Sequence, residues 1–300
     1  MPVHFAPVHT LPLAIALVAA PFTARAQSYT SSPALRAAPE AVIELEPWRT
    51  RWTIRAEIGG ATRRLLLDTG GGITLVSSAT AKAAGCVPWG RRTGYNMFGK
   101  RFDGPTCNGI SVGIGGRQYV PAITSLVNMA ALNPADSALD GIAALDLFEG
   151  RAITLDLARG RLIVESPASL RARIGAMRPL PIRLKRELEG LALAVMTGVP
   201  SRSGWLWMEL DSGNGGTVLV SKPVAALVGL DSSASGRQTA DFPIAEGVRV
   251  QTTDAFTPDL IMDGNLGMPF LKHWVVTLDL QGGLGWIAPA DDAPGSTAGN

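Results

Sequence analysis

The feature that most constrains this chain is a segment that occurs twice. Residues 65–77 read LLLDTGGGITLVS, and residues 208–221 read MELDSGNGGTVLVS. In each copy an apolar run ends in Asp-Thr/Ser-Gly, and a second apolar run follows a glycine-containing turn and ends in Ser. A carboxylate placed directly after a run of core residues is costly unless the strand delivers it to a site. The two copies therefore predict two carboxylates, Asp68 and Asp211, brought to the same place.

The residues that flank the two segments keep a common spacing. Each terminal Ser is followed eight positions later by a glycine that ends a short predicted helix, and each copy then has an Asp-Gly pair with a further Asp sixteen positions beyond it. The matched positions are Gly85 and Gly229, Asp140 and Asp263, and Asp156 and Asp279. Only the middle interval differs, by about twenty residues. This shared register predicts an internal duplication.

Composition favours short strands over long helices. The 300 residues include 34 Gly and 21 Pro, while aromatic residues make up 6%. Turn-forming residues in such number are typical of many short strands. The net charge is +2, and the arginines are scattered without a basic block, so we do not expect a nucleic-acid partner.

The first 26 residues predict a signal peptide. A short apolar run precedes Ala24-Arg25-Ala26, which is typical of a cleavage site. The run is too short to span a bilayer comfortably, although a membrane anchor is the alternative interpretation. We therefore expect an exported protein, periplasmic or extracellular, that keeps no stable membrane span after cleavage.

The remaining chain divides into five predicted parts. Residues 27–47 are predicted to be a linker or a short pro-segment, because residues 27–40 are rich in Ser, Ala and Pro. The repeated order of elements predicts an N-terminal lobe over residues 48–166 and a C-terminal lobe over residues 179–288. Residues 167–178 are then the interlobe linker, and residues 289–300 a disordered tail.

Two cysteines are present, Cys86 and Cys107. An even number in an exported chain favours a disulfide, and closing this loop would stabilise the fold by about 3 kcal/mol. Two buried thiols are the alternative. Because no His pair accompanies them, they make a poor zinc site, and we expect neither a metal nor a cofactor.

Two carboxylates held within hydrogen-bonding distance cannot both ionise cheaply, so they share one proton. The ionised group can take a proton from water, and the protonated group can donate to a carbonyl oxygen. Gly70 and Gly213 allow the sharp turns, and the hydroxyls of Thr69 and Ser212 can bond each loop to the other. The alternative is a duplicated turn in which each carboxylate caps nearby amides.

Asp68-Thr69-Gly70 and Asp211-Ser212-Gly213 resemble the two active-site motifs of the pepsin/retropepsin superfamily of aspartic proteases. The order of elements over residues 48–287 resembles bacterial retropepsin-like exported proteins. The resemblance implies an all-β bilobal acid protease fold, with two pseudo-symmetric β-barrel-like lobes and short helices. It also implies an aspartic endopeptidase that acts on an extended peptide or protein substrate, and a chain that works as a monomer. A catalytically inactive peptide- or ligand-binding protein on the same fold is the alternative function.

The sequence departs from the family pattern at three places. The residue after each Asp-Thr/Ser-Gly is often Ser, Thr or Ala in the family, and here it is Gly71 and Asn214. Ala144 replaces a glycine where the chain crosses behind the first loop. Without a hydroxyl after the motif, we expect the dyad to titrate higher than in acid-adapted enzymes.

The family also implies a flap, a β-hairpin that covers bound peptide. Residues 95–102 occupy the matching place, so Tyr95 and Gly99 are the candidate flap residues. A second hairpin near residues 235–237 is predicted at the equivalent place in the other copy.

Overall fold

The computed structural model describes residues 37–291. The predicted signal peptide, and residues 292–300 of the predicted tail, lie outside this range. Within it, residues 37–291 form part of a single compact unit.

Twenty-three strands are present in the described range. In the first part of the chain they are β1 (Ala41–Glu44), β2 (Glu46–Trp48), β3 (Arg51–Ile58), β4 (Ala61–Leu67), β5 (Leu75–Ser77), β6 (Gly90–Tyr95), β7 (Arg101–Asn108), β8 (Val112–Ile114), β9 (Arg117–Tyr119), β10 (Ile123–Val127), β11 (Gly141–Ala143), β12 (Ala152–Asp156) and β13 (Arg161–Glu165). In the second part they are β14 (Arg178–Leu180), β15 (Ile182–Glu187), β16 (Ala192–Ser201), β17 (Gly204–Leu210), β18 (Val218–Val220), β19 (Gln238–Ala245), β20 (Val248–Phe256), β21 (Gly264–Leu266), β22 (Trp274–Asp279) and β23 (Leu284–Pro289).

The helices are short. The α-helices are α1 (Ser78–Ala83), α2 (Met129–Leu132), α3 (Pro167–Ile174) and α4 (Met268–Leu271), and the 3-10 helices are Pro134–Asp136, Leu145–Phe148, Leu188–Gly190 and Lys222–Val228. Helix α1 begins where the Ser77 hydroxyl accepts a hydrogen bond from Thr80 N, which satisfies one free amide of the first turn. The predicted helix after the first Asp segment is therefore present.

Two sheets carry the two copies. The ten-stranded sheet has the order β6-β7-β10-β5-β11-β4-β3-β8-β9, with β2 paired to β3, and the seven-stranded sheet has the order β15-β16-β17-β21-β18-β20-β19. In the first sheet β4 and β11 pair in parallel, and β11 pairs antiparallel with β5. In the second sheet β17, β21 and β18 pair in the same two ways. The predicted duplication is therefore visible in the strand pairing itself.

A third sheet joins the two copies. Its order is β1-β13-β12-β22-β23-β14, so each copy contributes a hairpin and one outer strand. Strands β12 and β22 pair at the centre, where the Thr154 and Thr277 hydroxyl oxygens lie 2.8 Å apart. Because these two residues are directly opposite each other, they mark the pseudo-twofold relation of the halves.

Two segments predicted to be linkers contain regular structure. Within residues 27–47, β1 pairs with β13 along all four of its residues. Within residues 167–178, residues 167–174 form α3 and Arg178 begins β14. Where each lobe begins and ends stays a prediction.

The two copies are open sheets. Among the described residues no sheet closes on itself, so the predicted β-barrel-like lobes are replaced by three antiparallel or mixed sheets. The all-β, two-copy architecture is retained. The second copy has a hairpin of β19 and β20, but its turn is at Glu246 and Gly247, whereas the predicted position near residues 235–237 precedes β19.

Apolar alternation places the core. β3 buries Ile54, Ala56 and Ile58 on one face, and β4 ends with three buried leucines directly before Asp68. Such alternation is the signature of a strand with one face against a core. The Asp loop is therefore attached to a strand that packing holds in place.

Cys86 and Cys107 form a disulfide, with their Cα atoms 5.8 Å apart. It connects the segment after α1 to β7, and both sulfur-bearing residues pack on the main core. Across residues 37–291, no helix is both long and apolar enough to cross a membrane.

Candidate active site

The loops that follow β4 and β17 meet face to face. Asp68 N donates to Ala143 O at 3.1 Å, and Asp211 N donates to Leu266 O at the same distance. Each Asp is therefore anchored by the strand that pairs in parallel beside its own, β11 in one copy and β21 in the other. The duplicated sequence places both carboxyl groups by the same backbone bond.

Four hydrogen bonds join the two loops. Thr69 Oγ1 donates to Leu210 O at 2.6 Å and accepts from Ser212 N at 3.0 Å. Ser212 Oγ donates to Leu67 O at 2.9 Å and accepts from Thr69 N at 3.1 Å. Both hydroxyl residues are at most 1% exposed, so water does not compete for these bonds. We call this set of four bonds the cross-loop bracket.

The bracket brings each carboxyl group against the glycine of the opposite loop. A Cβ on Gly213 would lie 2.4–2.6 Å from the carboxyl atoms of Asp68, and a Cβ on Gly70 would lie 2.8 Å from Asp211 Cγ. Only glycine fits at such distances, since real Cβ contacts are longer. The sequence-predicted residues Asp68, Thr69, Gly70, Asp211, Ser212 and Gly213 therefore lie together in one site.

The two carboxyl groups are close enough for Asp211 to act on the pKa of Asp68. Burial raises the pKa of Asp68 well above its ordinary value, and the neighbouring Asp211 raises it further. The Gly70 amide, which donates to Asp68 Oδ1 at 3.1 Å, opposes these effects. A raised pKa at one member of a close carboxyl pair is what a shared proton requires.

Asp211 is held as a hydrogen-bond acceptor on both oxygens. Its Oδ1 accepts from Gly213 N at 2.7 Å and from Asn214 N at 3.2 Å, and its Oδ2 accepts from Asn265 Nδ2 at 2.8 Å. Asp211 is 4% exposed, whereas Asp68 keeps part of its surface accessible. The two carboxyl groups therefore have unequal surroundings.

Glu209 is a third carboxyl group at the site, and the sequence interpretation missed it. It is 4% exposed on β17, two positions before Asp211, and its Oε2 accepts from Asn265 Nδ2 at 3.2 Å. Burial and the charge of Asp211 raise the pKa of Glu209 to about 8, against the opposing effect of Lys185. The signal was present in the alignment of the copies, because Glu209 interrupts an apolar run at the position where the first copy has Leu66.

The loop after Asp68 is supported by Asp146. This buried carboxyl accepts from Thr74 N at 2.9 Å and from Thr74 Oγ1 at 2.6 Å, and burial raises its pKa to about 6. Ala144, which stands where the family pattern has glycine, is fully buried and leaves the anchoring bond of Asp68 in place. The substitution of glycine by Ala144 is therefore accommodated.

The candidate flap is a hairpin of β6 and β7 whose tip reaches the second copy. Met97 O accepts from Ile261 N at 3.0 Å, and a Cβ on Gly99, which has φ +75°, would lie 3.1 Å from Ile261 Cγ2. Tyr95, at the end of β6, is 58% exposed. The hairpin therefore spans from one copy to the other at its tip.

The matched Asp-Gly pairs have a structural role. Asp140 Oδ2 accepts from Arg64 N at 2.9 Å, and Asp263 Oδ2 accepts from Trp207 N at 2.8 Å. Both amides belong to the strand that leads to a candidate catalytic Asp, at the same offset. Within the described range no group of His, Cys, Asp and Glu is arranged to hold a metal ion.

Comparison with solved structures identifies the architecture. The basic 7S globulin from soybean matches with a TM-score of 0.55 and 10% identity, covering 84% of this chain and 95% of that one. Conglutin gamma, a basic 7S globulin from lupine seeds, matches with a TM-score of 0.54, 10% identity and the same coverage. A third structure, named edgp, matches with a TM-score of 0.55, 11% identity and again the same coverage.

These neighbours have the architecture of pepsin. This chain has a pepsin-like fold. At 10–11% identity the likeness establishes the fold alone. No family model and no curated protein sequence matches the chain.

Within a pepsin-like fold, the cross-loop bracket and the paired carboxyl groups lie where the two copies meet. The disulfide is compatible with an exported protein.

Proposed function

We propose that this protein is an aspartic endopeptidase that hydrolyses extended peptides through a water molecule activated between Asp68 and Asp211. The observation that carries the proposal is that the cross-loop bracket places each carboxyl group against the glycine of the opposite loop, with the pKa of Asp68 raised and Asp211 accepting hydrogen bonds on both oxygens. A pair of structural turns would not need carboxyl groups directed at each other.

The proposed reaction follows from these surroundings. Ionised Asp211 takes a proton from the bound water while the resulting hydroxide attacks the carbonyl carbon, and Asp68 donates its proton to the carbonyl oxygen. In the resulting gem-diol, the proton now on Asp211 passes to the amide nitrogen as the C–N bond breaks. Asp68 recovers a proton from the gem-diol as the carbonyl re-forms, and the pair returns to its starting state.

The substrate class follows from the strands around the site. An extended peptide can run between the two copies beneath the β6–β7 hairpin, since the hairpin tip reaches the loop that holds Ile261. Tyr95 and Gly99 belong to this proposed flap. Because both Asp loops come from one chain and β12 pairs with β22 within it, we propose a monomer.

We further propose that the protein is an exported, bacterial retropepsin-like enzyme of the periplasm or the extracellular space. The support is the predicted signal peptide of residues 1–26 and the disulfide between Cys86 and Cys107. Residues 48–166 and 179–288 are the proposed lobes.

A second function, binding of a peptide or ligand without catalysis, is favoured by one observation. Two of the three structural neighbours are named as globulins and not as proteases.

The deciding experiment is cleavage of a mixed peptide library by the wild-type protein and by Asp68→Asn and Asp211→Asn. These variants keep the shape of each side chain and remove its acid–base function. We expect cleavage by the wild type, loss of about 10²-fold or more in each variant, and inhibition by a statine-type transition-state analogue. The same cleavage pattern in all three proteins, or no cleavage by the wild type, would reject the enzymatic function.

A further inference from the structure

The two copies differ in polarity at one matched pair of buried positions. In the first copy Leu66 on β4 pairs with Ile142 on β11, and in the second copy Glu209 on β17 pairs with Asn265 on β21. All four residues are at most 4% exposed. Because the first copy folds with an apolar pair, the fold itself does not require a polar pair at these positions.

The amide of Asn265 bridges two carboxyl groups. Its Nδ2 donates to Asp211 Oδ2 at 2.8 Å and to Glu209 Oε2 at 3.2 Å. One NH₂ group has two hydrogens, so both bonds form together. Each hydrogen thus has an acceptor.

A hydrogen bond to the oxygen of the Asn265 side chain fixes the orientation of its amide. Asn265 Oδ1 accepts from Asn214 Nδ2 at 2.8 Å. Asn214 is itself oriented by Thr217, whose N and Oγ1 donate to Asn214 Oδ1 and whose carbonyl accepts from Asn214 Nδ2. Since the backbone of Thr217 admits only one arrangement, the NH₂ end of Asn265 faces the carboxyl groups.

The consequence is an unequal number of donors at the two catalytic candidates. Asp211 accepts from Gly213 N, Asn214 N and Asn265 Nδ2. In the described part of the chain, Asp68 accepts one such bond from a neutral amide, that of Gly70. Donors stabilise the charged form of a carboxyl group, so the charge of the pair is favoured on Asp211.

We propose that Asn265 and Glu209 are positioning residues that give the pair a fixed direction, with Asp211 held as the ionised partner and the shared proton on Asp68. Asn265 supplies the donor, and Glu209 is the acceptor that keeps this amide in place. The inference rests on the proposed function, because it assigns the base and the acid of that same site.

Glu209 suits this task only while it is neutral. The titratable groups that face it are Asp211 directly after its own strand, Asp68 across the site, and Lys185 and Glu187 on β15, with Lys185 Nζ 3.9 Å from Glu209 Oε1. Burial and Asp211 raise the pKa of Glu209 to about 8, so below that pH it adds no third negative charge. Once ionised, Glu209 raises the pKa of Asp68.

The test is a ¹³C NMR titration of the carboxyl groups in the full-length protein, with the pH profile of kcat/KM measured beside it. Three variants are compared with the wild type: Asn265→Leu, Glu209→Gln and the control Ile142→Val. Leu has nearly the shape of Asn without its donors, and the control alters packing at the matched position of the first copy.

The expected shifts differ among the variants. Asn265→Leu removes one of three donors to Asp211, so the lower apparent pKa of the pair and the acid limb of the profile rise by about one unit. Glu209→Gln leaves the lower value in place, because Asn265 keeps an acceptor. The same variant lowers the higher apparent pKa of the pair and shifts the alkaline limb of the kcat/KM profile to lower pH. The reason is that the charge of Glu209, which raises the pKa of Asp68, is no longer present. Ile142→Val shifts neither value.

An unchanged lower pKa in Asn265→Leu, or an equal shift in Ile142→Val, would overturn the proposal. Should Asn265→Leu not fold, Asn265→Ser removes the same donor with a smaller side chain and must show the same shift. The titration does not depend on turnover, so it separates the two hypotheses. The expected shifts without peptide cleavage would refute the proposed function and support the proton assignment, whereas cleavage with unshifted values would overturn the assignment alone.

Discussion

Replacing Thr69 with Val tests the cross-loop bracket, the set of bonds that places the two carboxyl groups. Val keeps the branched shape of Thr and removes only the hydroxyl. That hydroxyl donates to Leu210 O and accepts from Ser212 N, both across the boundary between the copies. The substitution therefore removes two of the four bracket bonds without opening a cavity.

The expected loss of stability follows from burial. Thr69 is 1% exposed and Ser212 is 0% exposed, so water cannot replace the lost partner at Ser212 N. A typical hydrogen bond contributes about 1 kcal/mol net, and a buried group left without a partner costs about 1–3 kcal/mol. We expect Thr69→Val to lower the free energy of unfolding by about 2–4 kcal/mol.

The assay is guanidinium unfolding of the disulfide-intact protein followed by tryptophan fluorescence, interpreted only where the slope m is unchanged. Thr62→Val is the matched control, since Thr62 is exposed on β4 and should change stability by less than about 0.5 kcal/mol. Ser212→Ala, which removes the other two bracket bonds, should resemble Thr69→Val. Equal midpoints for Thr69→Val and Thr62→Val would refute the reasoning.

Three further predictions concern pH, the disulfide and the hairpin. Glu209 ionises near its ordinary pKa of 4.5 in the unfolded chain but near 8 in the folded protein, so its contribution to stability is complete below pH 4.5 and is lost as the pH rises through 8. Unfolding midpoints measured across that window should fall less steeply for Glu209→Gln, and parallel curves would contradict this. Replacing Cys86 and Cys107 together with Ser should lower the free energy of unfolding by about 3 kcal/mol, with the reduced wild type as comparison, because the bond closes a loop of 21 residues. Gly99→Val should speed limited proteolysis at residues 96–100, since φ is +75° and the side chain would meet Ile261. Unchanged cleavage at that tip would count against the described contact.

The parts of this fold that the sequence predicts are those encoded by short, repeated patterns. Asp68 and Asp211 follow apolar strands and precede glycine turns, so the repeat alone predicts that both carboxyl groups lie in one site. Thr69 and Ser212 are adjacent to them, and their hydroxyls reach the opposite loop because the two loops are related by the pseudo-twofold. The predicted hydrogen bonds of Thr69 and Ser212 to the opposite loop follow from this local geometry.

The parts that the sequence does not predict depend on partners distant in the chain. Residues 41–44 follow a stretch rich in Ser, Ala and Pro, and the strand that they form pairs with residues 161–164, more than a hundred positions later. Burial and the charge of Asp211 raise the pKa of Glu209, and its hydrogen bond comes from Asn265, 56 positions later in the chain. Neither pairing can be predicted from the periodicity of a short sequence segment, because the partners lie far apart in the chain.

For the same reason, the sequence does not predict whether each sheet closes into a barrel or stays open. Strand count and alternation are equally compatible with a barrel and with open sheets, and the choice is made by which strands pair at the edges. Here β6 and β9 end one sheet and β15 and β19 end another.

The most direct test of the central claim is a neutron diffraction structure of the unliganded protein at mildly acidic pH. It locates hydrogen atoms and the carboxyl oxygens of Asp68 and Asp211 in one measurement. The account predicts oxygens within hydrogen-bonding distance and a single deuteron shared by the pair. Two deuterons, none, or carboxyl groups bonded only to the amides of their own loops would contradict it.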